Sequence, residues 1–188
     1  MLKGYETDRL VLTVLNKEAA PLVLSFYNDN AEVFEPWEPK RSANFYTLSY
    51  HRSLLTAEYN KMADGKLLRY WVFLKDHPEE IIGSICFQNL LKDPYYSCSL
   101  GYKFSQKHQH LGYAAESISK GIDILFNEYN LHRVDAFIMP NNNSSLKLIE
   151  RLGFEYEGTS KSYARINGIW ADHMHYALIN HNEIGRYQ

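Results

Sequence analysis

The stretch Lys107-His108-Gln109-His110-Leu111-Gly112-Tyr113-Ala114-Ala115-Glu116 constrains this chain more than any other. It follows an aromatic, strand-like run over residues 96–104. It precedes a run in which Ile118, Ile122, Leu125, Phe126 and Tyr129 recur at helical spacing. A strand, a glycine-containing turn and a helix start, in that order, gather the N–H groups of a first helical turn around one point. Those groups have no acceptor within the helix, so the point suits an anion, and a pyrophosphate fits best.

The rest of the pattern supplies the frame. Residues 6–15 read as a strand with Leu10, Leu12 and Val14 on one face, and residues 18–28 as a helix with Asn16 as its cap. Pro36 and Pro39 predict an extended connector over residues 33–41. A long helix over residues 46–63 leads to strands over 68–75 and 81–90 that turn at 76–80, and Asp93-Pro94 then directs the chain into the strand before the glycine loop. Beyond the loop helix, residues 132–139 form a strand and 145–152 a short helix. Residues 141–144 offer N-cap chemistry for that helix, and Gly153 is its C-cap. Strands over 155–166 and 169–179 flank Asn167-Gly168, a strong hairpin signal.

A length of 188 residues suits one domain spanning residues 1–188, with no repeat or low-complexity segment. Hydrophobic content of 45% beside 22% charged residues is that of a globular protein, and the longest apolar runs fall far short of a membrane span. The opening Met1-Leu2-Lys3-Gly4-Tyr5-Glu6 lacks the apolar stretch of a signal peptide, so a cytoplasmic location without membrane attachment is expected. A net charge of −2 with no long basic run argues against a dedicated nucleic-acid surface. Cys86 and Cys98 fall inside predicted strands and read as buried, reduced thiols.

Two motifs carry a family resemblance. Gln109-x-x-Gly112-x-Ala114 has the form (Gln/Arg)-x-x-Gly-x-(Gly/Ala), and Asn142-x-x-Ser145 is followed by Glu150-Arg151-Leu152-Gly153-Phe154. With the element order β-α-α-β-β-β-α-β-α-β-β, they resemble the GNAT superfamily of N-acetyltransferases. Thr7-x-Arg9-Leu10-x-Leu12, Phe34-x-Pro36-Trp37-Glu38-Pro39, Leu100-Gly101-Tyr102 and Asn167-Gly168-x-Trp170-x-Asp172-His173 resemble its RimJ/RimL-like ribosomal-protein-alanine N-acetyltransferase branch. The resemblance implies an α/β GNAT fold, a mixed central sheet with flanking helices. It also implies acetyl transfer from acetyl-CoA to a primary amine. The N-terminal alanine amine of a ribosomal protein is the first expected acceptor and a small amine (polyamine, amino acid or antibiotic) the second. A non-catalytic acyl-CoA-binding module is the reading from a different class.

The same resemblance assigns residues. Backbone N–H groups of Leu111, Gly112, Tyr113 and Ala114 would cradle the pyrophosphate with help from Gln109, while Tyr102 and Phe104 would pair through their backbone with the pantetheine amides. His110 stands where many relatives have glycine and is either phosphate-facing or an exposed loop residue. Asn142 would bind the pantetheine arm or cap its helix. Ser145 would lie beside the coenzyme A sulfur and stabilise the departing thiolate, or cap the same helix. The oxyanion would form near a backbone N–H of Leu100 to Tyr102, where a bulge at Gly101 is expected. Glu38 is the first candidate base, followed by Glu35, His173 and His175. Trp37, Trp170 and Tyr163 would border the acceptor cleft with Glu35, Glu38 and His173, although the tryptophans equally suit a core. The pairs His108/His110 and His173/His175 lack a further ligand at recognisable spacing, so no metal is expected. A monomer and a homodimer are both compatible with the sequence.

Overall fold

A computed structural model describes residues 3–181. β1 (Tyr5–Glu6) and β2 (Leu10–Thr13) form one edge, with Leu10 and Leu12 inward. β3 (Leu67–Leu74) is buried along most of its length, as is the middle of β4 (His77–Leu91), so both need helices on both faces. β5 (Ser97–Phe104), β6 (Arg133–Ile138), β7 (Glu155–Ile166) and β8 (Ile169–Ile179) complete an eight-stranded mixed sheet in the order β1-β2-β3-β4-β5-β6-β8-β7. Within it, β5 and β6 run parallel, whereas the other neighbours are antiparallel. Burial is continuous only along β3 and the middle of β4, whereas it alternates in β2, β5 and β6.

The helices fall on two sides. α1 (Ala20–Asp29), the single turn α2 (Ala31–Phe34) and α3 (Leu48–Ala63) cover one face, where Val23, Phe26, Phe34 and Leu55 pack with Trp71 and Phe73. α4 (Tyr113–Asn127) and α5 (Asn143–Arg151) cover the other, where Ile118, Leu125 and Ile149 pack with Leu68, Ile85 and Phe87. Each such side chain, once fully buried, stabilises the fold by about 1.5–3 kcal/mol. Gly121 lets α4 approach: a Cβ there would lie 2.6 Å from the Phe87 ring. Cys86 and Cys98 are free and buried, and burial pushes both thiols above their ordinary value. Among the described residues no helix is long and apolar enough to cross a membrane.

Three local expectations are corrected. The predicted strand over residues 6–15 is two strands, because the Thr7 hydroxyl accepts from the Leu10 N–H (3.0 Å) and the Thr7 N–H donates to the Leu10 carbonyl (3.0 Å), closing a turn. The connector over 33–41 is not extended at its start. α2 runs into a 3-10 turn, Glu35–Trp37, with Pro36 at an early position where its missing N–H costs nothing. Glu35 adopts helical angles before that proline because Phe34 is drawn into an aromatic cluster with Phe26 and Tyr27. The β3–β4 turn is also tighter than five residues, since β4 begins at His77 and absorbs the surplus as register shifts around Phe73.

His51 on α3 is fully buried, yet among the described residues neither ring nitrogen has a partner within hydrogen-bond geometry. It stacks on Tyr27 (5.3 Å between ring centres) and touches Phe45 and Tyr50 edge-on. Burial holds its imidazole below the ordinary value of 6.5, and with the nearby Arg41 charge it outweighs the opposing pull of the Phe45 backbone. The folded chain therefore binds fewer protons at His51 than the unfolded chain. Its contribution to stability is intact above pH 6.5 and is lost as pH falls towards the lower folded value. Urea unfolding from pH 8 to 5 should show stability decreasing across that window. His51→Phe should flatten the decrease and, by removing unmade hydrogen bonds costing roughly 1–3 kcal/mol, raise stability at every pH. An unchanged slope in the variant would exclude this role.

Candidate active site

The parallel pair at the centre of the sheet comes apart. β5 and β6 are in register from Ser97 opposite Arg133 to Leu100 opposite Ala136, and no further. β5 nevertheless continues to Phe104, paired with β4 without a break from Ser99 onward. The bulge expected at Gly101 is thus a divergence from β6, not an irregularity against β4. Past Leu100 the β6-facing edge of β5 meets no strand among the described residues, which leaves its peptide groups available to a ligand. A cleft of about 980 Å³ opens along this divergence.

At one end of the cleft is the glycine loop. His110 (φ 62°) and Gly112 (φ 85°) are both left-handed, and Gly112 is the N-cap of α4 without a capping side chain. The first backbone bond of the helix is Glu116 N–H to the Gly112 carbonyl (3.0 Å). The N–H groups of Tyr113, Ala114 and Ala115 therefore have no acceptor within the helix, and all three residues line the cleft with His108, Gln109, His110 and Gly112. The Gln109 amide donates to the Phe104 carbonyl (3.3 Å), tying the loop to β5. The Ser105 hydroxyl and His108 Nδ1 are 2.7 Å apart, fixing the other side of the loop. The Leu111 side chain points outward, and its carbonyl accepts from Arg9 Nη1 (3.1 Å).

The far wall is the start of α5. Asn142 caps this helix, its Oδ1 accepting from the Ser145 N–H (3.2 Å) and the Ser144 hydroxyl (3.0 Å). Capping is thus done by Asn142 and not by Ser145, whose half-buried side chain lines the cleft. The Tyr102 hydroxyl donates to the Ser145 carbonyl (3.4 Å), and burial pushes its phenol up to about 12. Phe104 contributes backbone only, because its ring packs over Gly83, where a Cβ would lie 2.4 Å away. Lys147 and Arg151, one helical turn apart, add two cations to this wall.

The opposite end is bounded by Val33, Phe34, Trp37 and Glu38 on one bank and by Phe137 and His173 on the other. Glu38 is the one carboxylate among the described lining residues. It pairs with Lys103 and with Arg41, whose Nη2 lies 2.6 Å from Oε2. Burial alone would push the Glu38 carboxyl up, but the charges and hydrogen bonds of Lys103 and Arg41 outweigh it and hold the group below its ordinary range. Lys103 also lies over the Tyr27 and Phe34 rings (4.9 and 5.5 Å). Arg69, between Ser84 and Cys86 on the lining, is bound to Glu58 (2.9 Å). Among the described residues one main-chain hydrogen bond, Asn167 N–H to the Glu38 carbonyl (3.0 Å), joins the β7–β8 hairpin tip to this loop.

Five expected residues lie outside the lining, the first being Leu111 in the glycine loop. Glu35 accepts from the Tyr46 hydroxyl (3.4 Å) on the outer side of its 3-10 turn. Tyr163 is stacked on Phe137 (4.5 Å), and Trp170 is 63% exposed beside Arg165 on the hairpin, neither core nor cleft. His175 stacks on the other face of Phe137 (4.4 Å) and hydrogen-bonds Asp135 (2.8 Å). Among the described residues, Asp135, Glu157 and His175 bring three ligand atoms within 4.8 Å of one another. The Arg133 guanidinium already fills that position, its Nε 2.8 Å from Asp135 and its Nη1 2.8 Å from Glu157, so the group does not fit a metal. Sequence reasoning missed Lys103, Arg41, Arg69, Lys147 and Arg151. Period-two alternation puts Lys103 on the Gly101 face of β5, but Arg69 gave no signal, being placed only by the β3–β4 register.

A sheet parted between two parallel strands, with unpaired helix N–H groups at one end and cations along one wall, fits a long thioester carrying a diphosphate tail and defines an acyl-CoA-dependent acyltransferase. Residues 9–155 match the acetyltransferase (GNAT) domain model, and the chain belongs to that family of acetyl-CoA-dependent N-acetyltransferases. It is 34% identical over 174 residues to the [ribosomal protein uS5]-alanine N-acetyltransferase of Escherichia coli, covering 92% of this chain and 88% of that protein. The crystal structure of a ribosomal-protein-S5-alanine acetyltransferase from Vibrio fischeri superposes with a TM-score of 0.90 at 28% identity, covering 96% of this chain and 98% of the other. Mycobacterium smegmatis RimJ, solved in complex with CoA-disulfide, shares the fold with a TM-score of 0.86 at 23% identity over 94% of this chain and 84% of its own.

Proposed function

We propose that the acceptor is the N-terminal α-amine of a protein, with the N-terminal alanine of a ribosomal protein, modified in the cytoplasm, as the natural substrate. The observation that carries this is the pairing of Glu38 with both Lys103 and Arg41. It weighs against Glu38, the first candidate base, acting in that role, because a carboxylate held by two cations is a poor proton acceptor. An acceptor here must arrive largely neutral by its own chemistry. An α-amine of pKa about 7.7–8.0 needs roughly 1 kcal/mol at pH 7 to do so, whereas a lysine of about 10.4 needs roughly 4–5 kcal/mol. The alanine-acetylating activity named for the Escherichia coli relative supports the same acceptor.

Acetyl-CoA supplies the activated acyl carbon, and the chain's own groups do the rest. The N–H groups of Tyr113 to Ala115 hold the diphosphate, with Gly112 allowing close approach, and His110 borders it. The free edge of β5 from Gly101 to Phe104 aligns the pantetheine arm, and an N–H at Gly101 or Tyr102 is placed to meet the developing oxyanion. The Ser145 hydroxyl, free of capping, stabilises the departing thiolate. Glu38 holds Lys103 and Arg41 on the acceptor bank with Trp37, facing His173 on the other bank. Ser145→Ala should lower kcat by roughly 10- to 100-fold, at the low end for acid–base assistance because a thiolate needs only stabilisation, with coenzyme A affinity little changed. In an acceptor panel, an alanine-starting peptide should be acetylated at least about 100-fold faster than an N-blocked lysine peptide or spermidine. Preference for either of the latter would overturn the proposal.

A further inference from the structure

The Thr7-x-Arg9 motif lies outside the cleft lining yet grips the glycine loop from behind. Arg9 Nη1 donates to the Leu111 carbonyl (3.1 Å), its Nε and Nη2 each lie 2.7 Å from Glu116 Oε2, and its Cζ stands 4.5 Å over the Tyr113 ring. A Cβ on Gly112 would be 3.2 Å from Arg9 Nη2, so the guanidinium rests directly on the turn. The other oxygen of Glu116 accepts from the Arg9 N–H (3.0 Å) and the Thr7 hydroxyl (2.6 Å). Burial alone would push the Glu116 carboxyl up, but these hydrogen bonds outweigh it and keep the group ionised below its ordinary range.

We infer that Arg9, locked to Glu116, is a positioning residue for acetyl-CoA: it holds the turn that aims the loop N–H groups at the pyrophosphate without itself touching the ligand. The inference rests on reading this loop as the pyrophosphate cradle and is independent of the acceptor.

Three physical points converge on it. Leu111 lies between two left-handed residues, and the non-glycine one, His110, keeps such a conformation only where its surroundings over-determine it. Arg9 is the group that holds the intervening carbonyl. Secondly, Glu116 sits in the first turn of α4, where its charge suits the helix but opposes a bound diphosphate, and Arg9 neutralises it there. Thirdly, Arg9 leaves the start of β2, which is laddered to β3 from Leu10 opposite Leu74 to Thr13 opposite Trp71, so the brace is anchored in the sheet.

Titration calorimetry with coenzyme A on the full chain, without acceptor, tests this. Arg9→Ala should weaken binding about tenfold, the factor one charge-assisted hydrogen bond supports. The KM for acetyl-CoA should rise in parallel while kcat at saturation stays within about threefold, since uniform binding alone is lost. Arg9→Lys should not rescue, because one ammonium cannot span the Leu111 carbonyl and Glu116 together. Glu116→Gln, the milder variant should Arg9→Ala fold poorly, should also weaken binding although it removes an anion from the site. The Arg9→Ala loss should persist with 3′-dephospho-coenzyme A. Rescue by lysine, tighter binding by Glu116→Gln, or disappearance of the loss with the dephospho ligand would each overturn the brace in favour of direct charge attraction. Normal binding by Gly112→Val would instead overturn the cradle reading itself.

Discussion

Gly112→Val should remove coenzyme A binding while leaving a folded chain. Gly112 has φ of 85°, a conformation that costs a β-branched residue roughly 1–3 kcal/mol. The new Cβ would also lie 3.2 Å from Arg9 Nη2, tighter than normal contact, so either the guanidinium or the turn must shift. The turn then no longer converges the N–H groups of Tyr113 to Ala115. Strain alone corresponds to roughly 10- to 100-fold in affinity, and side-chain bulk at the closest approach to the diphosphate adds to it. Calorimetry should register at least about a hundredfold loss of affinity. The melting temperature without ligand should fall only slightly, because Gly112 ends a helix at the surface and supports no core contact. Retained affinity would show that this turn does not bind the diphosphate.

Glu58→Ala should be among the most destabilising single changes outside the apolar core. Glu58 is buried on α3, and its Oε1 accepts from Arg69 Nε (2.9 Å), while Arg69 Nη1 reaches the Ser84 hydroxyl (3.4 Å) and its Cζ lies 5.7 Å over the Trp71 ring. Removing the carboxylate strands a guanidinium that burial already disfavours, an arrangement that costs roughly 3–5 kcal/mol. Because Arg69 borders the cleft, water can reach part of it, and the lower figure is expected, about 3 kcal/mol. For a chain of this size that is a fall of roughly 6–12 °C in melting temperature. The double change Glu58→Leu with Arg69→Met should recover most of it, since both charges leave together. A loss below about 1 kcal/mol, the range of exposed pairs, would mean that the Arg69 charge is solvated through the cleft.

Element types were legible because each helix and strand carries one apolar face at the period of its geometry. Leu10 and Leu12, or Ile118, Ile122 and Leu125, announce their own burial. The glycine loop was legible for another reason: a left-handed N-cap with free N–H groups is a local object, complete within a few residues. The acceptor end was not. Glu38 reads as a solvated charge or a base until Lys103, 65 residues away, arrives from β5, and no spacing rule anticipates that meeting. Trp170 and Tyr163 could not be placed from sequence because aromatic residues on a hairpin look alike whether they face a cleft or the outer surface of a sheet. In the connector, packing of Phe34 overrode the restriction that Pro36 places on its predecessor, a contest sequence rules cannot weigh.

The bond between the Asn167 N–H and the Glu38 carbonyl is made entirely by main chain. Any residue but proline at position 167 that tolerates the left-handed turn, and any residue at 38, could keep it. Side chains on both banks are therefore free to drift without opening the span between them. Divergence of acceptor preference in descendants of this chain can proceed by substitution alone, with the enclosure inherited intact.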